Sequence, residues 1–216
     1  MPNFLESFPK LILFLLFGVA TNLFAELPKE LTDPESALFR SKLITTNTEG
    51  HAVEIKAKIK GIQNLYLTVS DGGNSYSCDW ADWALPRLVE KNGNETRLTD
   101  LKWEHAKSGW GKVQINKNCG GRPLRINGKD IAYGIGTHAN SEIHYKLPKD
   151  HKFVEFRCLA GIDNGGSDQQ NGTQSSVQFF VSDRPIDLQK LSQIQQGIPV
   201  VDHFPPDQFT LSEGLE

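Results

Sequence analysis

Between residues 51 and 182 the apolar positions recur with a period of two. Val53, Ile55, Ala57 and Ile59 alternate with Glu54, Lys56, Lys58 and Lys60, which predicts a half-buried strand with a charged, solvated face. Leu65, Leu67 and Val69 alternate with Tyr66, Thr68 and Ser70 in a second strand. Ile143, Tyr145 and Leu147 do the same against Glu142, His144 and Lys146, and Phe153–Ala160 and Val177–Val181 complete the longer strands. Trp83–Val89 predicts another, placed at a sheet edge because Pro86 has no N–H to give a ladder. Gln114–Ile115 and Leu124–Ile126 are short candidates. Turn signals separate these runs: Asp71-Gly72-Gly73, Asn92-Gly93, Gly120-Gly121, Asn127-Gly128, Gly165-Gly166 and Asn171-Gly172. No amphipathic stretch of period 3.6 interrupts the series. The pattern therefore predicts an all-β domain over residues 51–183, an antiparallel β-sandwich rather than a parallel α/β sheet.

The ends break the alternation. Leu11–Ala20 is an unbroken apolar run, too short to cross a hydrocarbon core about 30 Å thick. With Ala25 before Glu26, it predicts a secretory signal peptide over residues 1–25 and an exported product, periplasmic, cell-surface or extracellular. No membrane span remains once that peptide is cleaved; the competing readings are an uncleaved anchor and a buried strand. Residues 26–50 are polar and read as a leader segment with one short helix near Pro34–Lys42. Leu188–Ile194 predicts a short helix, and Pro199, Pro205 and Pro206 interrupt any regular element beyond it. Residues 184–216 read as a linker to a downstream domain of the same polypeptide.

Charge and cysteines narrow the function classes. The chain of 216 residues carries 23 basic and 26 acidic side chains, a net charge of −3. Nucleic acid is excluded as a partner on that balance, because phosphates require a Lys/Arg-rich face. Three cysteines permit at most one intramolecular disulfide. Cys78 and Cys119, both flanking Gly/Asn-rich loops, are the favoured pair, and Cys158 reads as a buried free thiol. Gly134-Ile135-Gly136-Thr137-His138-Ala139 fits the dinucleotide fingerprint, but that motif requires a helix next. Ser141–Leu147 alternates instead, so a strand follows, and the glycines read as a tight inter-strand turn.

Candidate chemistry concentrates in two places. In Ser70–Trp83, Asp71, Asp79 and Asp82 can supply hard oxygen ligands, a composition suited to a structural Ca²⁺. Solvated carboxylates in Asx-turns are the competing and commoner reading. Trp80 and Trp83 lie three apart, so a strand places one in the core and one on the exposed face. The second set is His105, Trp110, His138, Asn140, Asp163 and Asn164. Sugars are held by an aromatic face against C–H groups and by polar side chains on hydroxyls, and this set supplies both. Against it stand a Trp110 that plugs the core between its two glycines and a His138 that is a satisfied buried histidine. No residue is assigned a catalytic role; glycoside hydrolysis, which needs two carboxyls roughly 5–10 Å apart across a cleft, is kept as the enzyme alternative.

Several longer stretches resemble a known family. They are L-Y-L-T-V-S-D-G-G, D-W-A-D-W-A-L-P-R-L, S-G-W-G, G-x-P-L-x-I-N-G-K, Y-G-I-G-T-H-A-N-S-x-I-x-Y-x-L-P, A-G-I-D-N-G-G and V-Q-F-F-V. Together, from Ala52 to Asp183, they are similar to the NPCBM family of carbohydrate-binding modules. The resemblance implies a jelly-roll sandwich of galactose-binding-like type. It implies a non-catalytic accessory role in secreted multidomain proteins, with galactose-type sugars or glycans as ligands, and related modules often carry a structural Ca²⁺. Leu85 departs from the pattern, standing where a polar or acidic residue is expected. A structural or docking domain for a downstream catalytic or haem-binding domain, without sugar binding, is the alternative.

Overall fold

A computed structural model describes residues 33–198. The expected signal peptide, residues 26–32 of the leader and residues 199–216 of the linker lie outside the described residues. The first strands in chain order are β1 (Phe39–Arg40), β2 (Ile44–Thr45), β3 (Ala52–Lys58), β4 (Asn64–Ser70) and β5 (Trp80–Glu90). Next come β6 (Glu95–Arg97), β7 (His105–Lys107), β8 (Gln114–Ile115), β9 (Arg125–Ile126) and β10 (Lys129–Asp130). The last are β11 (Gly134–His138), β12 (Ser141–Lys146), β13 (Phe153–Ile162) and β14 (Ser176–Ser182), with helices α1 (Asn164–Ser167) and α2 (Leu188–Gln195).

Two antiparallel sheets result. The first runs β1-β14-β4-β12-β7, with β2 also paired to β14. The second runs β3-β13-β5-β11-β8, with β6 also paired to β5, while β9 and β10 form a small ribbon. The sheets pack face to face as an all-β sandwich of the jelly-roll, galactose-binding-like type. The predicted alternation fills the space between them. Leu65, Leu67, Val69, Ile143 and Phe179 come from one sheet, and Ile55, Ala57, Trp83, Phe156 and Cys158 from the other. Trp83 joins the layers, meeting Phe156 and Phe179 edge-on at 6.2 and 4.9 Å.

Four expectations change in three dimensions. First, β5 is central, between β13 and β11, although it contains Pro86. Arg87 stands opposite Arg157 and Ala84 opposite Leu159, so Leu85 and Pro86 share one partner position in a bulge. The missing proline donor falls where no ladder bond is due, and Leu85 takes φ +51° with its N–H on the Tyr133 carbonyl at 3.0 Å. Second, Gly134 and Gly136 sit inside strand β11, not in a turn. A Cβ at Gly136 would strike the Lys117 carbonyl oxygen, so glycine is required by a backbone crossing above. Third, the helix expected near Pro34–Lys42 is a three-residue 3₁₀ turn, Pro34–Ser36, followed by β1 on the edge of β14. Fourth, Cys78, Cys119 and Cys158 are all free thiols; the favoured Cys78–Cys119 pair does not form.

The predicted helix at Leu188–Ile194 is present as α2, capped by Asp187, whose side chain accepts from Gln189 N and Lys190 N. Leu191 and Ile186 cover Phe180 on the outer face of the first sheet. Among the described residues no helix is long and apolar enough to cross a membrane.

Candidate functional site

The outer face of the second sheet carries the site. On β5, Ala81 and Trp83 point into the core, so Trp80 and Asp82 point the other way. Trp83 is the core member that the spacing requires of the pair. Trp80 is not the exposed one, because loops close over it. Cβ atoms at Gly120 and Gly165 would lie 2.5 Å from its ring, and one at Gly166 3.0 Å from its Cβ. Two of the predicted Gly-Gly turns therefore hold glycine at these positions for contact with Trp80. Gly121 has the turn geometry, at φ +90°.

Trp110 lies over Trp80, ring centroids 5.3 Å apart. Its two glycine neighbours press the backbone inward: a Cβ at Gly109 would strike the Ala139 carbonyl and one at Gly111 the Cys119 carbonyl. Ser108 Oγ donates to the Trp110 carbonyl at 2.6 Å and accepts from His138 N at 3.0 Å. With its backbone held down, the indole projects outward and stays 53% exposed; it does not plug the core. Tyr76, 61% exposed, stands nearby, with its ring 6.2 Å from that of His138. Tyr76, Cys78, Trp80, Trp110, His138 and Gln169 line a cleft of about 200 Å³.

His138 is only 4% exposed, and its Nδ1 contacts the Ala139 carbonyl oxygen at 2.5 Å. A carbonyl only accepts, so Nδ1 holds the proton and Nε2 is the acceptor. No hydrogen bond among the described residues uses Nε2, and that atom is not sealed from solvent. Burial lowers the His138 pKa from its ordinary value, which keeps this acceptor neutral at physiological pH.

The other expected residues are dispersed. Asn140 braces the 71–74 turn: its Oδ1 accepts from Asp71 N at 3.0 Å and its Nδ2 donates to Asp71 Oδ2 at 3.3 Å. Asp163 is fully buried; Asn118 Nδ2, Gly165 N and Arg125 N donate to its two oxygens at 2.7–2.9 Å. Asn164 lines a separate polar cleft. His105 sits on β7 of the other sheet, opposite His144, and lines neither cleft. Tyr76 and Gln169 were not anticipated; Tyr76 stood in the polar Ser70–Trp83 stretch with no periodic signal.

The three aspartates do not converge. Asp79 Oδ1 accepts from Ser176 N at 2.8 Å, and burial pushes its pKa up to about 8. Asp82 turns instead toward Asp163; burial, and then that neighbouring carboxylate, raise its pKa well above the ordinary value. Asp71 is tied to Asn140 and to Gly73 N. Among the described residues no group of three or more His, Cys, Asp or Glu side chains is placed to hold a metal ion, so a Ca²⁺ shared by these three does not fit.

A further cleft lies over the Leu85 bulge, but its arginines are engaged, Arg87 with Glu95 at 3.0 Å and Arg157 with Glu155 at 2.8 Å, and no aromatic ring lines it.

Comparison with known proteins finds relatives that share part of this chain. The chain is 34% identical over 71 residues to Alpha-1,3-galactosidase B of Akkermansia muciniphila, a match covering 33% of this chain and 8% of that protein. It is 31% identical over 119 residues to a protein of Renibacterium salmoninarum provisionally named endo-alpha-N-acetylgalactosaminidase, covering 51% of this chain and 7% of that protein. The chain thus spans less than a tenth of either relative. No solved structure gives a significant match. The model of the NPCBM/NEW2 domain matches residues 31–89 and 94–194, taking in β1, β2 and most of α2 as well as the sandwich. The chain belongs to the NPCBM/NEW2 family of carbohydrate-binding modules.

Proposed function

We propose that the aromatic cleft binds one galactose-type sugar residue of a glycan, and that the chain serves as an exported, non-catalytic binding module. One observation carries the reading: Trp110 holds an exposed indole face over a cleft whose floor presents the neutral acceptor Nε2 of His138. The apolar C–H face of a galactose-type ring stacks on Trp110, Tyr76 closes the opposite side, and a sugar hydroxyl donates to Nε2. The names of the two relatives, a galactosidase and an N-acetylgalactosaminidase, favour galacto-configured sugars. The cleft lining offers no carboxyl group, which supports binding without hydrolysis.

Calorimetric titration with galactose, N-acetylgalactosamine and their glycosides tests this. Binding in the millimolar to micromolar range is expected, and Trp110→Ala should weaken it roughly tenfold with little change in melting temperature. Flat titrations across the panel with folded protein, or an unchanged affinity in Trp110→Ala, would refute the assignment.

A further inference from the structure

A second cleft, of about 430 Å³, opens on the far side of Gln169, which lines both clefts. Trp80 is the keel between them. Its ring lines the aromatic cleft, while Gly165, pressed against that ring, lines the polar one. One layer of side chains therefore separates two adjoining depressions on the same face.

The polar cleft has a rigid floor and an uncommitted rim. Its floor is the buried Asp163 carboxylate with the Asn118, Gly165 and Arg125 N–H groups bound to it, so the polar atoms there are already used. On the rim, Arg125 is engaged with Asp130 at 3.4 Å. Arg122 is exposed, and none of the hydrogen bonds or ion pairs among the described residues involves its guanidinium. Asp168 accepts from Asn164 Nδ2 through Oδ1 at 2.9 Å, which leaves Oδ2 as an acceptor. A guanidinium and a carboxylate oxygen facing one depression match vicinal sugar hydroxyls, each of which both donates and accepts. No aromatic ring lines this cleft, so it suits a residue held by its hydroxyls rather than by its face.

We propose that the polar cleft is a second subsite, which takes the sugar residue linked to the one stacked on Trp110. The ligand class is then a glycan of at least two linked residues, with Arg122 and Asp168 reading the hydroxyls of the second. This rests on the sugar-binding reading of the aromatic cleft. Asp163 and Asn164 act here by building and bracing the subsite, not by contacting the first sugar.

The test is calorimetry on the full chain with a monosaccharide and with di- and trisaccharides that carry it at the non-reducing end in several linkages. At least one longer ligand should bind roughly tenfold more tightly than the monosaccharide, the contribution of a hydrogen bond to a charged group. Arg122→Ala and Asp168→Ala should each bring that ligand back towards the monosaccharide's affinity, with Arg122→Lys intermediate. Monosaccharide binding that depends on Trp110, with no gain for any longer ligand, overturns the second subsite alone. A gain that survives both alanine variants also overturns it. Absence of any sugar binding overturns both subsites.

Discussion

Replacing Asp82 by Asn should stabilise this domain at neutral pH. Asp82 is fully buried on β5, and no donor among the described residues reaches either of its oxygens. Asp163 beside it accepts three N–H groups, so Asp82 is the member that carries the proton. In the unfolded chain its pKa returns to about 3.9. Folding therefore takes up a proton, and the stability present below that value is lost as pH rises towards the higher folded pKa. The loss is about 1.4 kcal/mol for each pH unit between the two pKa values. Asparagine keeps the shape, donates one N–H to Asp163 and takes up no proton. Its second N–H goes unpaired, which costs about 1–3 kcal/mol. The balance shifts towards asparagine by about 1.4 kcal/mol per pH unit, which offsets the cost of the unpaired N–H within about two units, and near pH 4 the sign reverses because only the unpaired N–H remains. Urea unfolding followed by tryptophan fluorescence from pH 4 to 8 reads both effects. Asp79, pushed up to about 8, adds a slope of the same sign, so Asp82→Asn should retain part of the wild-type dependence. A variant slope equal to that of the wild type would show Asp82 to be ionised in the fold, and the reasoning would fail.

Three further outcomes follow from the site. Gly165→Ala places a Cβ 2.5 Å from the Trp80 ring and 2.7 Å from Asp163 Oδ1, and should cost about 1–3 kcal/mol, read as a lower melting temperature; an unchanged value would mean the ring is free to move. Sugar affinity should be level above pH 6.5 and fall at lower pH as His138 Nε2 gains a proton and ceases to accept. An unchanged affinity in His138→Ala would remove His138 from the contact. A thiol reagent should modify Cys78 alone in the native protein and all three cysteines after unfolding, because burial pushes the Cys119 and Cys158 thiols up and hides them. Bound sugar should slow the native reaction, and Cys78 labelling at an unaltered rate would place the ligand elsewhere.

Strand identity was legible in the chain because side-chain alternation is a property of the local backbone. Ile55 and Ala57, Leu65 to Val69, and Ile143 to Leu147 enter the core as their period requires, whichever strands they meet. Trp110 and His138 were legible as types suited to a sugar, and they do share a cleft. What tertiary structure alone decided was everything that depends on contacts across long sequence separations. Pro86 sits in a central strand because a bulge absorbs it, and the bulge exists only in the pairing of β5 with β13. Gly136 is glycine because the backbone near Lys117 crosses it, and Gly120 and Gly165 are glycine because Trp80 packs against them; dipeptide signals describe turns and are blind to such crossings. Asp82 parted from Asp79 and met Asp163 because alternation on β5 turns it to the outer face, where the end of β13 delivers its partner. Tyr76 and Gln169 joined the cleft for the same reason: a binding surface is assembled from loops that the sheets bring together, and no local pattern records which loops those are.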